Sequence, residues 1–104
     1  HFVQPDLGRV GGITGGEEIA AIAQETGARA VPHAFGTGVL LAASAQWAAA
    51  MDDPLTEYTR APSPLAQKLA LHEMTFRNGA LHLTDEPGLG VGLDEAVVAE
   101  FQVQ

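Results

Sequence analysis

One stretch, Gln4 to Gly38, constrains this chain more than any other. It reads QPDLGRVGGIT, then a helical segment, then RAVPHAFGTG, which is the order strand, polar loop, helix, strand, polar loop. Asp6 and His33 each stand just past a short apolar run and are 27 residues apart (33 − 6 = 27). That is about the length of one helix and two loops, a single α/β step. Strands joined in this way lie parallel and side by side. In parallel sheets and barrels the loops at the carboxyl ends of the strands converge on one face, and chemistry collects there. The spacing therefore predicts an α/β fold with an acid beside an imidazole at that face.

Local signals extend the pattern. Gly8, Gly11, Gly12, Gly15 and Gly16 crowd the first loop. Thr14 followed by Glu17 reads as a capping box, and Glu17 and Glu18 suit the positive end of a helix. Ile19, Ile22, Ala23 and Thr26 recur at helical spacing before Gly27, so a helix is expected over 14–26. Residues 28–31 fit a buried parallel strand. Thr37 is placed to cap a second helix, from about Val39 to Met51, that is apolar almost all round. Residues 55–59 are expected to form a third strand carrying Glu57. Beyond Arg60 the pattern changes. Residues 61–64, with two prolines, read as an irregular crossing. Asn78-Gly79 between Phe76 and Leu81 predicts a hairpin with a type I′ turn. Residues 86–92 read as extended, and Asp94 caps a last helix carrying Val97, Val98 and Phe101. The chain thus divides into an α/β unit over 1–60 and an appended extension over 61–104.

Composition removes several classes of function. A chain of 104 residues with 46% apolar content holds one domain at most, with a modest core. Thirteen acids against five bases give a net charge of −8, and Lys68 is the only lysine. Such a surface repels polyanions, so no nucleic-acid partner is expected. The absence of cysteine excludes disulfides, thiolate metal sites and a cysteine nucleophile. No apolar run reaches the roughly 18 to 20 residues that span a bilayer, and no basic stretch precedes an apolar one at the start. A cytoplasmic protein without a membrane partner is the expectation. Phe2 and Val3 read as the last part of a buried strand with no lead-in, which suggests a piece of a longer protein.

Among the polar residues, Asp6 and His33 form the best candidate proton-transfer pair. An imidazole titrates near neutral pH, and a carboxylate on one ring nitrogen fixes the tautomer and stabilises the imidazolium. The plainer alternative makes His33 a half-buried loop residue and Asp6 a loop cap. Glu57, at the end of the third strand, suits the same pocket or a salt-bridged strand end. Arg9 either attracts a carboxylate substrate or pairs with Asp6. GRVGGITGG is a weak match to a phosphate loop, since it fits neither common glycine pattern. His72 and His82 read as surface residues, and Ser44 and Ser63 lack the setting of a nucleophile.

QPDLGRVGGIT, PHAFGTG and LTEY, in this order, resemble the C-terminal third of enzymes of the mandelate racemase/muconate lactonizing enzyme family, in the enolase superfamily. The tail TDEPGLGVGLDE is similar to the segment with which those enzymes return to their capping domain. The resemblance implies the C-terminal portion of a modified TIM-type (β/α) barrel, strands 6 to 8, ending at Asp6, His33 and Glu57. It further implies that His33 is the general acid/base, Asp6 its partner, and Glu57 the group that hydrogen-bonds the substrate carboxylate as it becomes an enediolate. The chemistry implied is removal of the proton α to a carboxylate, with Mg²⁺ held by residues outside this chain. An acid-sugar dehydratase is the leading expectation, with a 2-hydroxy-acid racemase or a catalytically silent fragment or interaction module as alternatives. The implied partners are a sugar acid or 2-hydroxy acid, the remainder of the barrel, and further copies in a homo-oligomer. Unpaired strand edges at Phe2 and over 55–59 would favour such association.

Overall fold

The computed structural model describes residues 1–71 and 74–103, so His72 lies outside the described residues. The chain starts in β1 (Phe2–Val3), crosses through α1 (Gly12–Glu25) and returns as β2 (Arg29–Ala30), which pairs with β1 in parallel. Phe2 lies opposite Arg29 and Val3 opposite Ala30. The ladder continues past these short strands. Arg29, Val31 and His33 donate their N–H groups to the carbonyls of His1, Val3 and Pro5 at 2.9, 3.0 and 2.9 Å. Pro5 has no N–H to donate and is suited to the accepting end of this run.

The start of α1 departs from expectation. The helix begins at Gly12 rather than Thr14, and no side chain caps it. Gly11 and Gly12 turn the chain with φ of 94° and 78°, conformations that disfavour any side chain. Gly12 N–H closes that turn onto the Leu7 carbonyl at 2.9 Å. Thr14 therefore falls inside the first turn, and the Thr14–Glu17 capping box does not form.

The second helix, α2 (Gly38–Ala49), starts as expected, with the Thr37 side chain accepting from Leu40 N–H at 3.2 Å. Trp47 is only 2% exposed and is joined in the core by Ala42, Ala45 and Ala48. It meets α1 at Gly16, where there is room for a hydrogen and no more. A Cβ there would stand 2.7 Å from Leu7 Cδ2 and 3.0 Å from Trp47 Nε1. The outer face of α1 is left uncovered, with Ile22 60% exposed.

Residues 55–59 do not form the expected third strand; among the described residues they pair with no strand. This region meets β2 and the loop after it through side chains instead of backbone rungs. The Arg29 guanidinium reaches Asp53 Oδ1 at 2.9 Å and donates to its carbonyl at 3.2 Å, while Glu57 Oε2 accepts from Ala34 N–H at 3.0 Å.

The remainder comprises α3 (Pro64–Gln67), β3 (Ala70–Leu71), β4 (Thr75–Arg77), β5 (Ala80–His82), β6 (Gly92–Leu93) and α4 (Glu95–Phe101). Ser63 caps α3 and Pro64 opens it, so part of the predicted crossing is helical. β4 and β5 form the predicted hairpin, with Asn78 and Gly79 at φ of 52° and 78°. β3 and β6 pair antiparallel, with Ala70 opposite Leu93 and Leu71 opposite Gly92, contacts across 23 and 21 residues (93 − 70 and 92 − 71) that local signals do not show. His82 is half-buried rather than fully at the surface. Tyr58 stacks on Phe76 with ring centroids 5.1 Å apart, tying the segment after α2 to the hairpin. Asp94 caps α4 as expected, accepting from Ala96 and Val97 N–H.

The contact between α1 and α2 gives a direct test. Gly16→Ala adds a methyl where no space exists, and overpacking of this kind costs about 1–3 kcal/mol. This exceeds the gain of about 1 kcal/mol from replacing a helical glycine by alanine. The urea midpoint of the variant is expected to fall. A midpoint equal to or above that of the wild type would show that Trp47 yields without cost.

Candidate active site

The pairing of β1 with β2 fixes the site. Phe2 opposite Arg29 is an offset of 27 (29 − 2 = 27), and Asp6 to His33 is the same offset (33 − 6 = 27). The two residues therefore continue one register, just beyond the rung from His33 N–H to Pro5. Residues in register on neighbouring strands project to the same face. The side chains meet there, with His33 Nδ1 2.9 Å from Asp6 Oδ2. An ionised carboxylate only accepts, so Nδ1 carries the hydrogen and Nε2 is left as the basic nitrogen of the neutral ring.

Asp6 is held from several sides. Its Oδ1 accepts from Gly8 N–H at 2.9 Å, and its backbone carbonyl accepts from Arg9 and Val10 N–H at 2.9 and 3.0 Å. Glycine at position 8 eases this approach, since a Cβ there would make a tight contact of 3.2 Å with Oδ1. The Asp6 side chain is 12% exposed and that of His33 39%. The hydrogen bond from His33 lowers the Asp6 pKa below its ordinary 3.8. Burial opposes this, while Gly8 N–H and the charges of His33 and Arg9 reinforce it. Arg9 Nε stands 3.6 Å from Asp6 Oδ2, and its side chain is 84% exposed. It is thus the electrostatic neighbour of Asp6 and also a positive charge at the rim of the site.

Glu57 joins the site through the backbone of Ala34, the residue after His33. The structure thus gathers Asp6, His33, Arg9 and Glu57 at the ends of neighbouring segments. The first three meet through side chains, and Glu57 does so through an N–H. Two contributors escaped the reading of the sequence, the N–H groups of Gly8 and Ala34. Asp6-Leu7-Gly8 carries a usable signal for the first, because an aspartate often accepts from the N–H two residues on. Nothing local points to the second. The crowded glycines 11 and 12 serve the turn into α1.

The residues present do not fit a magnesium ion. Among the described residues no three His, Asp or Glu side chains converge as ligands. Both Asp6 oxygens and Glu57 Oε2 are already engaged by donors of the chain itself. A cleft of about 260 Å³ between α2 and the hairpin is lined by residues such as Ala45, Ala48, Leu55, Phe76 and Leu81, none from the dyad.

The lowered pKa of Asp6 makes stability depend on pH. A carboxyl whose folded value is depressed contributes stability that is fully present above its unfolded value, 3.8, and lost as pH falls through the folded value. The urea stability gap between wild type and Asp6→Asn is expected to narrow as pH falls below 3.8. A gap unchanged down to about pH 2 would overturn the ionised, hydrogen-bonded Asp6.

Comparison with known proteins shows the family of the chain. Residues 1–97 match the family model described as enolase C-terminal domain-like. The chain is 34% identical over 111 residues to the D-galactarolactone cycloisomerase of Agrobacterium fabrum, covering 98% of this chain and 29% of that protein. It is 30% identical over 101 residues to the arabinonate dehydratase of Saccharolobus solfataricus, covering 97% and 27%. The crystal structure of the 3,6-anhydro-D-galactonate cycloisomerase from Zobellia galactanivorans superposes with a TM-score of 0.90 at 32% identity, over 99% of this chain and 29% of that one. The chain thus spans less than a third of the relatives it matches. With 97 of its 104 residues inside the family model and its fold superposing on a solved enzyme, this chain belongs to the enolase C-terminal domain-like family, in the mandelate racemase/muconate lactonizing enzyme branch of the enolase superfamily.

Proposed function

We propose that this chain supplies the proton-transfer half of an enzyme that removes the proton α to a carboxylate, acting as an acid-sugar dehydratase. The observation that carries this reading is the 2.9 Å bond between His33 Nδ1 and Asp6 Oδ2 at the carboxyl end of a parallel strand pair. With Nδ1–H held by Asp6, His33 Nε2 takes the α proton, and the Asp6 carboxylate balances the charge that develops on the ring. The protonated His33 then returns a proton to the hydroxyl on the β carbon, which leaves as water with the electrons of its C–O bond, while the electron pair at the α carbon forms the Cα=Cβ double bond of an enol. Glu57 hydrogen-bonds the substrate carboxylate as negative charge develops on it, with the shared proton carried by the Glu57 carboxyl group. Arg9, exposed at the rim, draws the substrate anion in.

Relatives named as dehydratase and as cycloisomerases support this class, since both chemistries fit a base that also returns a proton to a leaving oxygen. Racemisation is the second reading, because His33 alone serves one face of a substrate and the same dyad suits a base working there. It needs an opposing base from outside this chain. In this reading residues 1–60 are a partial (β/α) barrel that holds strands 6 and 7, with residues 55–59 at the place of the eighth strand, and 61–104 return toward a capping domain. Mg²⁺ would be held by residues outside this chain, and further copies assemble into a homo-oligomer.

The test is exchange of the substrate α proton in deuterium oxide by the full-length protein, with a panel of sugar acids and Mg²⁺ supplied. Wild type is expected to exchange and to form a 2-oxo-3-deoxy acid. His33→Asn is expected to lose about 10²–10⁴-fold in rate, the usual contribution of a general base. Exchange at the wild-type rate in the variant would remove His33 from the mechanism. Inversion at the α carbon without loss of water would favour the racemase.

A further inference from the structure

Two peptide groups flank the Cα of His33, and each is pinned to a different neighbour. Successive N–H groups of an extended chain point to opposite edges. His33 N–H points toward β1 and ends on the Pro5 carbonyl at 2.9 Å. Ala34 N–H points the other way, toward residues 55–59, where a complete ladder would offer a backbone carbonyl. No strand forms there among the described residues. The acceptor is Glu57 Oε2, at 3.0 Å. Ala34 is 1% exposed, so its N–H has no ready recourse to water, and leaving it unpaired would be costly.

We infer that Glu57 is a positioning residue for His33: its side-chain oxygen Oε2 replaces the missing rung and fixes the peptide between His33 and Ala34. With Pro5 on one side and Glu57 on the other, both dihedrals of His33 are set, and with them the direction of its Cα–Cβ bond. The imidazole is thereby aimed at Asp6 before any substrate arrives. This inference rests on the proposed function for its catalytic meaning and deepens it. It also divides the labour of the carboxyl group. Oε2 is committed to Ala34, so contact with a substrate carboxylate falls to Oε1, and any proton that Glu57 donates there resides on Oε1.

The experiment compares Glu57→Gln, Glu57→Asp and Glu57→Leu in the full-length protein by nitrogen-15 NMR. The readouts are hydrogen exchange of the Ala34 amide and the ring nitrogen shifts of His33. Glutamine keeps an oxygen at the same reach and is expected to preserve both. Aspartate is one methylene short and leucine offers no acceptor. In each, Ala34 exchange is expected to rise about tenfold or more as the local bond is lost, with the His33 ring signals displaced. Circular dichroism checks that each variant is folded; if the leucine variant is not, the glutamine and aspartate pair decides. Wild-type protection of Ala34 and wild-type ring shifts in the aspartate variant would overturn the inference. So would a glutamine variant as disturbed as the aspartate one, because charge rather than reach would then be the operative feature. Neither readout depends on turnover, so a failure to find α-proton exchange and a failure of the positioning role are separate results.

Discussion

Three backbone hydrogen bonds, from Arg29, Val31 and His33 to the carbonyls of His1, Val3 and Pro5, hold both ends of the first crossover in one register. Every chemical feature of the molecule depends on them. A shift of one residue would turn His33 to the opposite face of the sheet and part it from Asp6. The register also explains why such a small chain builds a defined pair. The dyad sits at the end of a ladder whose rungs are already closed, so little freedom is left to lose when the side chains meet.

The helices protect this arrangement rather than contribute to its chemistry. α1 joins the two strands, and α2 seals α1 through Trp47, which is nearly inaccessible and lies against Gly16. Ile22 on the outer face of α1 and Phe2 are left exposed among the described residues. One group of polar contacts lies at the carboxyl ends of the strands. There Asp6, His33, Arg9, Glu57 and two backbone N–H groups share one small region.

The elements legible from sequence were those whose signals are local. Thr37 and Asp94 cap their helices, and Asn78-Gly79 forms its turn, because each acts on groups within a few residues. Thr14 failed for the same kind of reason. A glycine pair just upstream admitted left-handed backbone and started the helix earlier, so the competing local signal prevailed. The strand expected over 55–59 failed for a different reason. Its composition suits a strand, but a strand exists only where another backbone accepts its rungs. Here Asp53 and Glu57 meet the neighbouring segment chiefly by side chain. The pairing of β3 with β6 was invisible because two-residue strands carry no periodicity.

From sequence alone came the α/β order, the separation of 27 residues between Asp6 and His33, and the resemblance that assigned them roles. An acid and an imidazole one α/β step apart are bound to be neighbours if the strands pair in parallel, since the length of the connection sets the offset. Only the tertiary structure decided what holds them. Gly8 N–H on Asp6, Arg9 beside it, and Glu57 on the buried Ala34 N–H each require two segments to be in place at an ångström scale. A sequence specifies which groups can donate and accept. Which of them are left facing one another, with water excluded, is settled by packing.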